Sequence, residues 1–430
     1  MIKLLKNFVS NNENGFFQEV GWTWLGYAIN QRNYEYVQQR NMSIALVLLD
    51  YGNWQADSDI FQYLSSKVIS FLQKRKNTYL VLDASLEGFG PKTFPILECL
   101  YYNCEKYKIS PKKIIYATSN RYESRNNAAF CLHHGRKDSI KIYTSNHFQY
   151  QTGQNFRNDK GINFITTEGD PWPLDTFYDK IKGTTYKQYN GKYFLSLSRI
   201  VRSHRTLGHF LLHAANIEKH ALISQDKLKQ TSGDMHNALK DQGNAFIENF
   251  ARDINVDPKQ FVRWSKTLPR IIDTPDFKTN HGPKGNYGLY TKTLFEVVNE
   301  TDANGFDGTQ LFYSEKTFKP MINGMPFIIF GQQYANSHLK ELGFKLYDEL
   351  FDYSFDNEPD VKKRYLLIIA MIQDRIKMFN KMSKEEQLEW RFQCEDKLKY
   401  NMSKVILEEK DDPALEKLLQ SMYRECGFVL

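Results

Sequence analysis

Apolar residues along this chain fall in short continuous runs, with little strict alternation. Ser43-Ile-Ala-Leu-Val-Leu-Leu49, Thr78-Tyr-Leu-Val-Leu82, Lys113-Ile-Ile-Tyr-Ala117 and Ser139-Ile-Lys-Ile-Tyr143 are four such runs in the first third. Their length and their β-branched and aromatic content suit strands buried on both faces. Between them the spacing turns helical. Ile60, Leu64, Val68, Ile69 and Leu72 share one side of a helix over 56–75, and a second helix is expected over 91–107. Strands alternating with helices predict an open parallel sheet, with right-handed crossovers placing helices on both faces.

Residues 151–190 break the pattern. They are rich in Gly, Asn, Asp and Thr, contain Pro171-Trp-Pro173, and read as an interdomain connection. The alternation then restarts. Strands are expected at 192–197, 221–224, 293–298 and 326–330, with a helix over about 203–216, while 226–290 holds few signals. From 360 onward the spacing is helical, over about 360–381, 384–408 and 412–424. The expected organisation is α/β. A Rossmann-like domain covers 1–150, a linker 151–190, a second Rossmann-like domain 191–380, and C-terminal helices 381–430. A chain of 430 residues exceeds what one core sustains, which agrees with two domains.

Composition changes this picture little. The net charge of +7 suits a phosphorylated or nucleic-acid partner and equally a solvated basic surface. The 26 Tyr and 30 Phe serve mainly as core, though such rings also line sugar and base sites. Five cysteines, Cys99, Cys104, Cys131, Cys394 and Cys426, show no metal-ligand spacing and read as reduced thiols. His133 and His134 follow Cys131 without a second ligand cluster. No apolar stretch is long enough to span a membrane, and the N-terminus lacks the pattern of a signal peptide, so a cytosolic protein is expected.

Parallel sheets bind ligands beyond the C-terminal ends of their strands. In the first domain this directs attention to Asp50, Asp83 to Glu87, Thr118 to Asn120, and Thr144 to His147. In the second, Tyr313-Ser-Glu-Lys-Thr-Phe-Lys-Pro320 stands out. Ser314 suits an N-cap, with a short helix starting at Glu315 and ending near Pro320 and Gly324. Glu315, Lys316, Thr317 and Lys319 would then lie at or near a helix N-terminus, whose free N–H groups suit a diphosphate. Lysine adds a mobile positive charge, and a glutamate can accept from two ribose hydroxyls. From composition alone an ordinary surface helix reads the same way. Upstream, Phe194-Leu-Ser-Leu-Ser-Arg-Ile-Val-Arg-Ser-His-Arg205 runs from a strand into Arg199, Arg202 and Arg205, which could grip a diphosphate or simply cap a basic surface helix.

The segment Ser-Glu-Lys-Thr-Phe-Lys-Pro, followed by Gly-Met-Pro-Phe-Ile-Ile-Phe-Gly, resembles the donor-site signature of the α1,3-fucosyltransferases. It is more similar still to an uncharacterised group of glycosyltransferase-like proteins of large viruses and phages. In these the strand is followed by a Leu-x-x-x-Gly-Phe segment, here Leu339 to Phe344, then Asp348 and Tyr353-Ser-Phe-Asp356. The resemblance covers about 190–380 and is firm over 313–356; Ser198 stands where that group has Asn. It implies a GT-B glycosyltransferase with the nucleotide-diphosphate sugar held by the second domain, inversion, and a guanosine-diphosphate donor.

An inverting transferase needs a carboxylate to deprotonate the acceptor. In Asp83-Ala-Ser-Leu-Glu-Gly-Phe89, Glu87 is the first candidate and Asp83 the second, with Asp50 and His147 behind them; a loop carboxylate capping the next helix would read alike. Asp302, Asp307 and Gly308 do not complete a calcium loop, and no D-x-D motif stands at a strand end, so neither a metal nor a cofactor is expected. The acceptor is a hydroxyl of a glycan, a protein or a modified nucleic acid. The rival reading is a non-catalytic nucleic-acid or nucleotide-binding protein.

Overall fold

The computed structural model describes residues 43–48, 59–64, 66–76, 78–84, 95–144, 147–160, 174–198, 202–226, 251–252, 255–272, 287–301, 303 and 310–407. The chain divides into two compact units: Met1–His147 with Asp307–Phe312 and Lys410–Leu430, and Phe148–Phe306 with Tyr313–Glu409. The architecture is α/β, with a four-stranded parallel sheet in each unit.

In the first unit β1 (Ser43–Leu48), β2 (Thr78–Ala84), β3 (Ile114–Thr118) and β4 (Lys141–Thr144) stand side by side in chain order. Each apolar run of the sequence is a strand, shifted by at most two residues. Helices α1 (Ser66–Lys74), α2 (Ile96–Lys106) and α3 (Glu123–His133) connect them. Val68, Leu72, Leu97, Leu100, Cys104 and Cys131 of these helices form one cluster with Leu80, Leu82, Ile114 and Tyr116 of the strands. Strand order and cluster agree. When every connection steps the same way, right-handed crossovers put these three helices on one face. The expectation of helices on both faces therefore does not hold for the described part of this unit.

The second unit contains α4 (His147–Lys160), which begins at the unit boundary, and α5 (Leu174–Gln188). Thus part of the stretch read as a linker is helix, with Tyr178, Ile181 and Thr185 of α5 buried. Then follow β5 (Phe194–Ser198), α6 (Ser203–Ala214), β6 (Ala221–Gln225), α7 (Pro258–Ser265), α8 (Tyr287–Tyr290), β7 (Phe295–Asn299), α9 (Glu315–Ile322), β8 (Phe327–Phe330) and α10 (Ala335–Glu341). The helices α11 (Val361–Phe379), α12 (Lys384–Phe392) and α13 (Glu395–Leu407) close the unit. The pattern over 384–408 read as one helix; the chain breaks at Gln393–Cys394. The helix expected over 412–424 lies outside the described residues.

The order of the second sheet is β6-β5-β7-β8. From β5 the chain steps one way, to β6; β7 lies on the other side of β5, and the next step goes further that way, to β8. The order thus reverses between β5 and β7. Their C-terminal ends form the crevice where open sheets accept ligands. Strands β7 and β8 are buried at every position, and each fully buried Val, Ile or Phe there contributes about 1.5–3 kcal/mol. Two buried arginines tie the closing helices to the sheet. Arg391 donates to the carbonyls of Tyr290 and Thr293 and of Gly324, ahead of β7 and β8 respectively. Arg364 donates to the carbonyl of Gly331, just after β8.

Candidate functional site

The site lies within the second unit, at the crevice between β5 and β7. It is built on a residue the sequence reading passed over. Glu300 follows β7 directly and is 1% exposed. Its Oε1 accepts from the Ser314 N–H at 3.0 Å and the Thr317 hydroxyl at 2.6 Å. Its Oε2 accepts from the Ser314 hydroxyl at 2.8 Å and the Thr301 N–H at 2.6 Å. One buried carboxylate thus absorbs four donors and fixes the start of α9. Ser314 is the N-cap, its hydroxyl oxygen accepting from the Lys316 N–H. Helix, cap and boundary are as the sequence indicates. The polar triplet Asn299-Glu300-Thr301 at a strand end was the available signal for Glu300.

Helix α6 brings the second set of groups. The carbonyl of Glu300 accepts from His204 Nε2 and from Arg205 Nε, both at 2.9 Å. Burial, together with the positive charge of Arg205, pushes the His204 imidazole down to about 3, so it sits there neutral. Arg205 is 2% exposed, and its Nη2 lies 3.2 Å from Thr301 Oγ1. Lys316 Nζ lies 3.3 Å from the same oxygen. A guanidinium and an ammonium thus converge on one hydroxyl oxygen. Burial lowers the pKa of both cations, and each has a further cation nearby: Arg202 for Arg205, and Arg205 for Lys316.

Lys316 also pairs with Glu315 at 2.8 Å, and the two side chains are 27% and 15% exposed, so the pair reaches the surface. Burial disfavours the charge on Glu315. Lys316 and Lys319 outweigh that and hold the carboxyl well below its ordinary value. Lys319, one turn along, also favours the ionised form of Glu296 on β7. Arg202 is exposed at the N-cap position of α6.

Beneath the crevice lies a buried polar network. Asn299 Nδ2 donates to Ser196 Oγ at 2.8 Å and to His209 Nε2 at 3.1 Å. Ser196 in turn donates to the Val297 carbonyl, and His209 Nδ1 donates to Gln225 Oε1 at 2.6 Å. Burial pushes His209 down to about 4, and the donor pattern requires its neutral, Nδ1-protonated form. Three buried oxygens on these elements, Ser198 Oγ, Thr206 Oγ1 and Asn299 Oδ1, have no protein partner. Helix α6 approaches closely here because residue 208 is glycine: a Cβ there would lie 2.7 Å from the Phe330 ring.

Of the expected donor residues, Arg205, Ser314, Glu315, Lys316 and Thr317 come together. Arg199 lies outside the described residues, as do Glu87, Asp50, Asp302, Asp307 and Gly308. Asp83 is in β2, in register with Leu48 and Ala117; of its side chain, and that of His147, nothing is described. Residues of the Gly-Phe segment and beyond serve the fold. The Asp356 carboxylate accepts from the N–H groups of Asn336 and Ser337 at the start of α10. Among the described residues no three His, Cys, Asp or Glu side chains could hold a metal ion together. No described helix is long and apolar enough to cross a membrane.

No family model matches the chain, and no curated protein matches it. Among solved structures, the catalytic domain of starch synthase IV from Arabidopsis thaliana, bound to ADP and acarbose, is similar at a TM-score of 0.36. The identity is 9%, over 92% of this chain and 75% of that one.

Proposed function

We propose that the chain is a GT-B glycosyltransferase, moving a sugar from a nucleotide-diphosphate donor to an acceptor hydroxyl with inversion and without a metal ion. The reading rests on one observation: Arg205 and Lys316 converge on a single oxygen at the sheet's switch point, beside a helix N-terminus. A phosphate oxygen is the ligand atom such an arrangement suits.

In this reading Arg205 and Lys316, with Arg199 and Arg202, bind the diphosphate, and Lys319 adds to the local positive charge. They neutralise the charge that develops as the sugar–phosphate bond breaks. That role of side-chain cations is the ground for metal independence. Glu315, held ionised, accepts from the ribose hydroxyls. Ser314 and Thr317 act with Glu300 to keep the turn in place. The first unit receives the acceptor, a hydroxyl of a glycan, a protein or a modified nucleobase.

A thermal-shift screen against UDP-, GDP-, ADP- and CMP-sugars tests the reading. A donor at 100 times its dissociation constant stabilises by about 2.7 kcal/mol. A melting point that no nucleotide sugar moves overturns the donor-site assignment.

A further inference from the structure

The first unit carries a carboxylate that the sequence reading did not single out. Glu123 is the first residue of α3, the helix that follows β3. It is 0% exposed. Its Oε2 accepts from Asn120 Nδ2 at 2.8 Å and from Asn126 Nδ2 at 3.1 Å. Its Oε1 is equally buried and has no hydrogen-bond partner. Around it the strand end is polar and enclosed: Thr118, Ser119 and Asn120 are all buried. Asn120 is itself held, its Oδ1 accepting from the N–H groups of Tyr122 and Leu311.

A carboxylate oxygen buried without a donor is costly, the more so when it is charged. Such an atom at the C-terminal end of a parallel strand is placed to meet a hydroxyl from a ligand. Two amides on Oε2 fix the carboxyl plane and leave Oε1 as the unpartnered oxygen. Burial pushes the Glu123 carboxyl up to about 7, with the amides of Asn126 and Asn120 partly offsetting it. A base of that strength suits proton removal at neutral pH.

We propose that Glu123, through Oε1, takes the proton from the acceptor hydroxyl. The inference rests on the transferase reading given above. The acceptor O–H bond breaks and its proton passes to Glu123 Oε1. The freed oxygen pair forms the new bond to the anomeric carbon as the sugar–phosphate bond breaks, its electron pair leaving on the nucleoside diphosphate.

The test compares the wild-type protein with Glu123→Gln and Asn126→Ala, using the nucleotide sugar identified in the screen and water as the acceptor hydroxyl, so that turnover is hydrolysis of the donor. Donor affinity by calorimetry and melting temperature are measured beside turnover. The expected result is a kcat about 10²- to 10⁴-fold lower in Glu123→Gln, with donor affinity within twofold. Wild-type kcat/KM rises through an apparent pKa near 7. Asn126→Ala, which removes a bond favouring the carboxylate, moves that limb to higher pH. Turnover within threefold of wild type in a folded Glu123→Gln, with donor binding intact, overturns the assignment and leaves the transferase reading standing. A wild-type protein that binds no nucleotide sugar overturns both.

Discussion

The carboxylate of Glu300 accepts from both the backbone N–H and the hydroxyl of Ser314, at 3.0 and 2.8 Å. The cap of α9 is therefore capped in turn by the strand beside it. This couples the position of Lys316 to the end of β7 and so to Arg205, which donates to the Glu300 carbonyl.

Glu300→Gln replaces two acceptor oxygens by one and puts an amide N–H₂ against hydroxyl and N–H donors. It is expected to lower stability by about 2–4 kcal/mol, since bonds to a buried charge are lost and donors are stranded. Thr317→Val, which removes one of the four donors, is expected to cost about 1–2 kcal/mol. Urea midpoints check both. The double variant should lose less than the sum, because the two changes share one network.

Gly208→Ala should destabilise even though alanine favours helix. Its Cβ would meet the Phe330 ring at 2.7 Å, and Phe330 is wholly buried. Overpacking of this kind costs about 1–3 kcal/mol. Gly183 in α5 is the control, because a Cβ there meets nothing within 4 Å. Gly183→Ala should stabilise by about 0.5–1 kcal/mol. Thermal unfolding of the two variants separates close packing from helix propensity.

Glu296 supplies a pH-dependent term. Burial pushes its carboxyl up to about 8, against the charge of Lys319 and a hydrogen bond from Tyr290. The native state therefore binds this proton more tightly than the unfolded chain. The stability so gained is fully present below about pH 4.5 and is lost as pH rises through about 8. Glu296→Gln should match the wild type near pH 5 and be the more stable of the two at pH 9. Chemical denaturation at the two pH values checks the divergence.

Much of this architecture was legible because it is local. Continuous apolar runs mark all eight strands of the described residues to within two residues, and Ser314 before Glu315 announced the start of α9 by ordinary capping chemistry. What escaped acts across distance. Glu300 reaches Ser314 through a 14-residue excursion, part of which, Asp307–Phe312, groups with the first unit. The reversal of strand order between β5 and β7 is a property of the sheet and leaves no mark in either strand. Ser196 and His209 lie on elements that read as ordinary apolar ones, so a polar layer between them had no periodic signal. Glu123 reads in the sequence as an ordinary acidic residue in the first turn of a helix, and its complete burial follows only from the fold.

The most direct measurement is calorimetric titration of the nucleoside diphosphate of the best-binding donor into wild type, Lys316→Met and Glu315→Gln. Loss of one charge-assisted contact corresponds to about 1.5–3 kcal/mol, or roughly 10- to 150-fold in affinity. The account predicts a loss in that range for Lys316→Met, with the melting temperature of the free protein lowered little. A smaller loss is expected for Glu315→Gln, which retains acceptors for the ribose hydroxyls. Affinity unchanged within twofold in Lys316→Met would contradict the convergence of Arg205 and Lys316 as the diphosphate site.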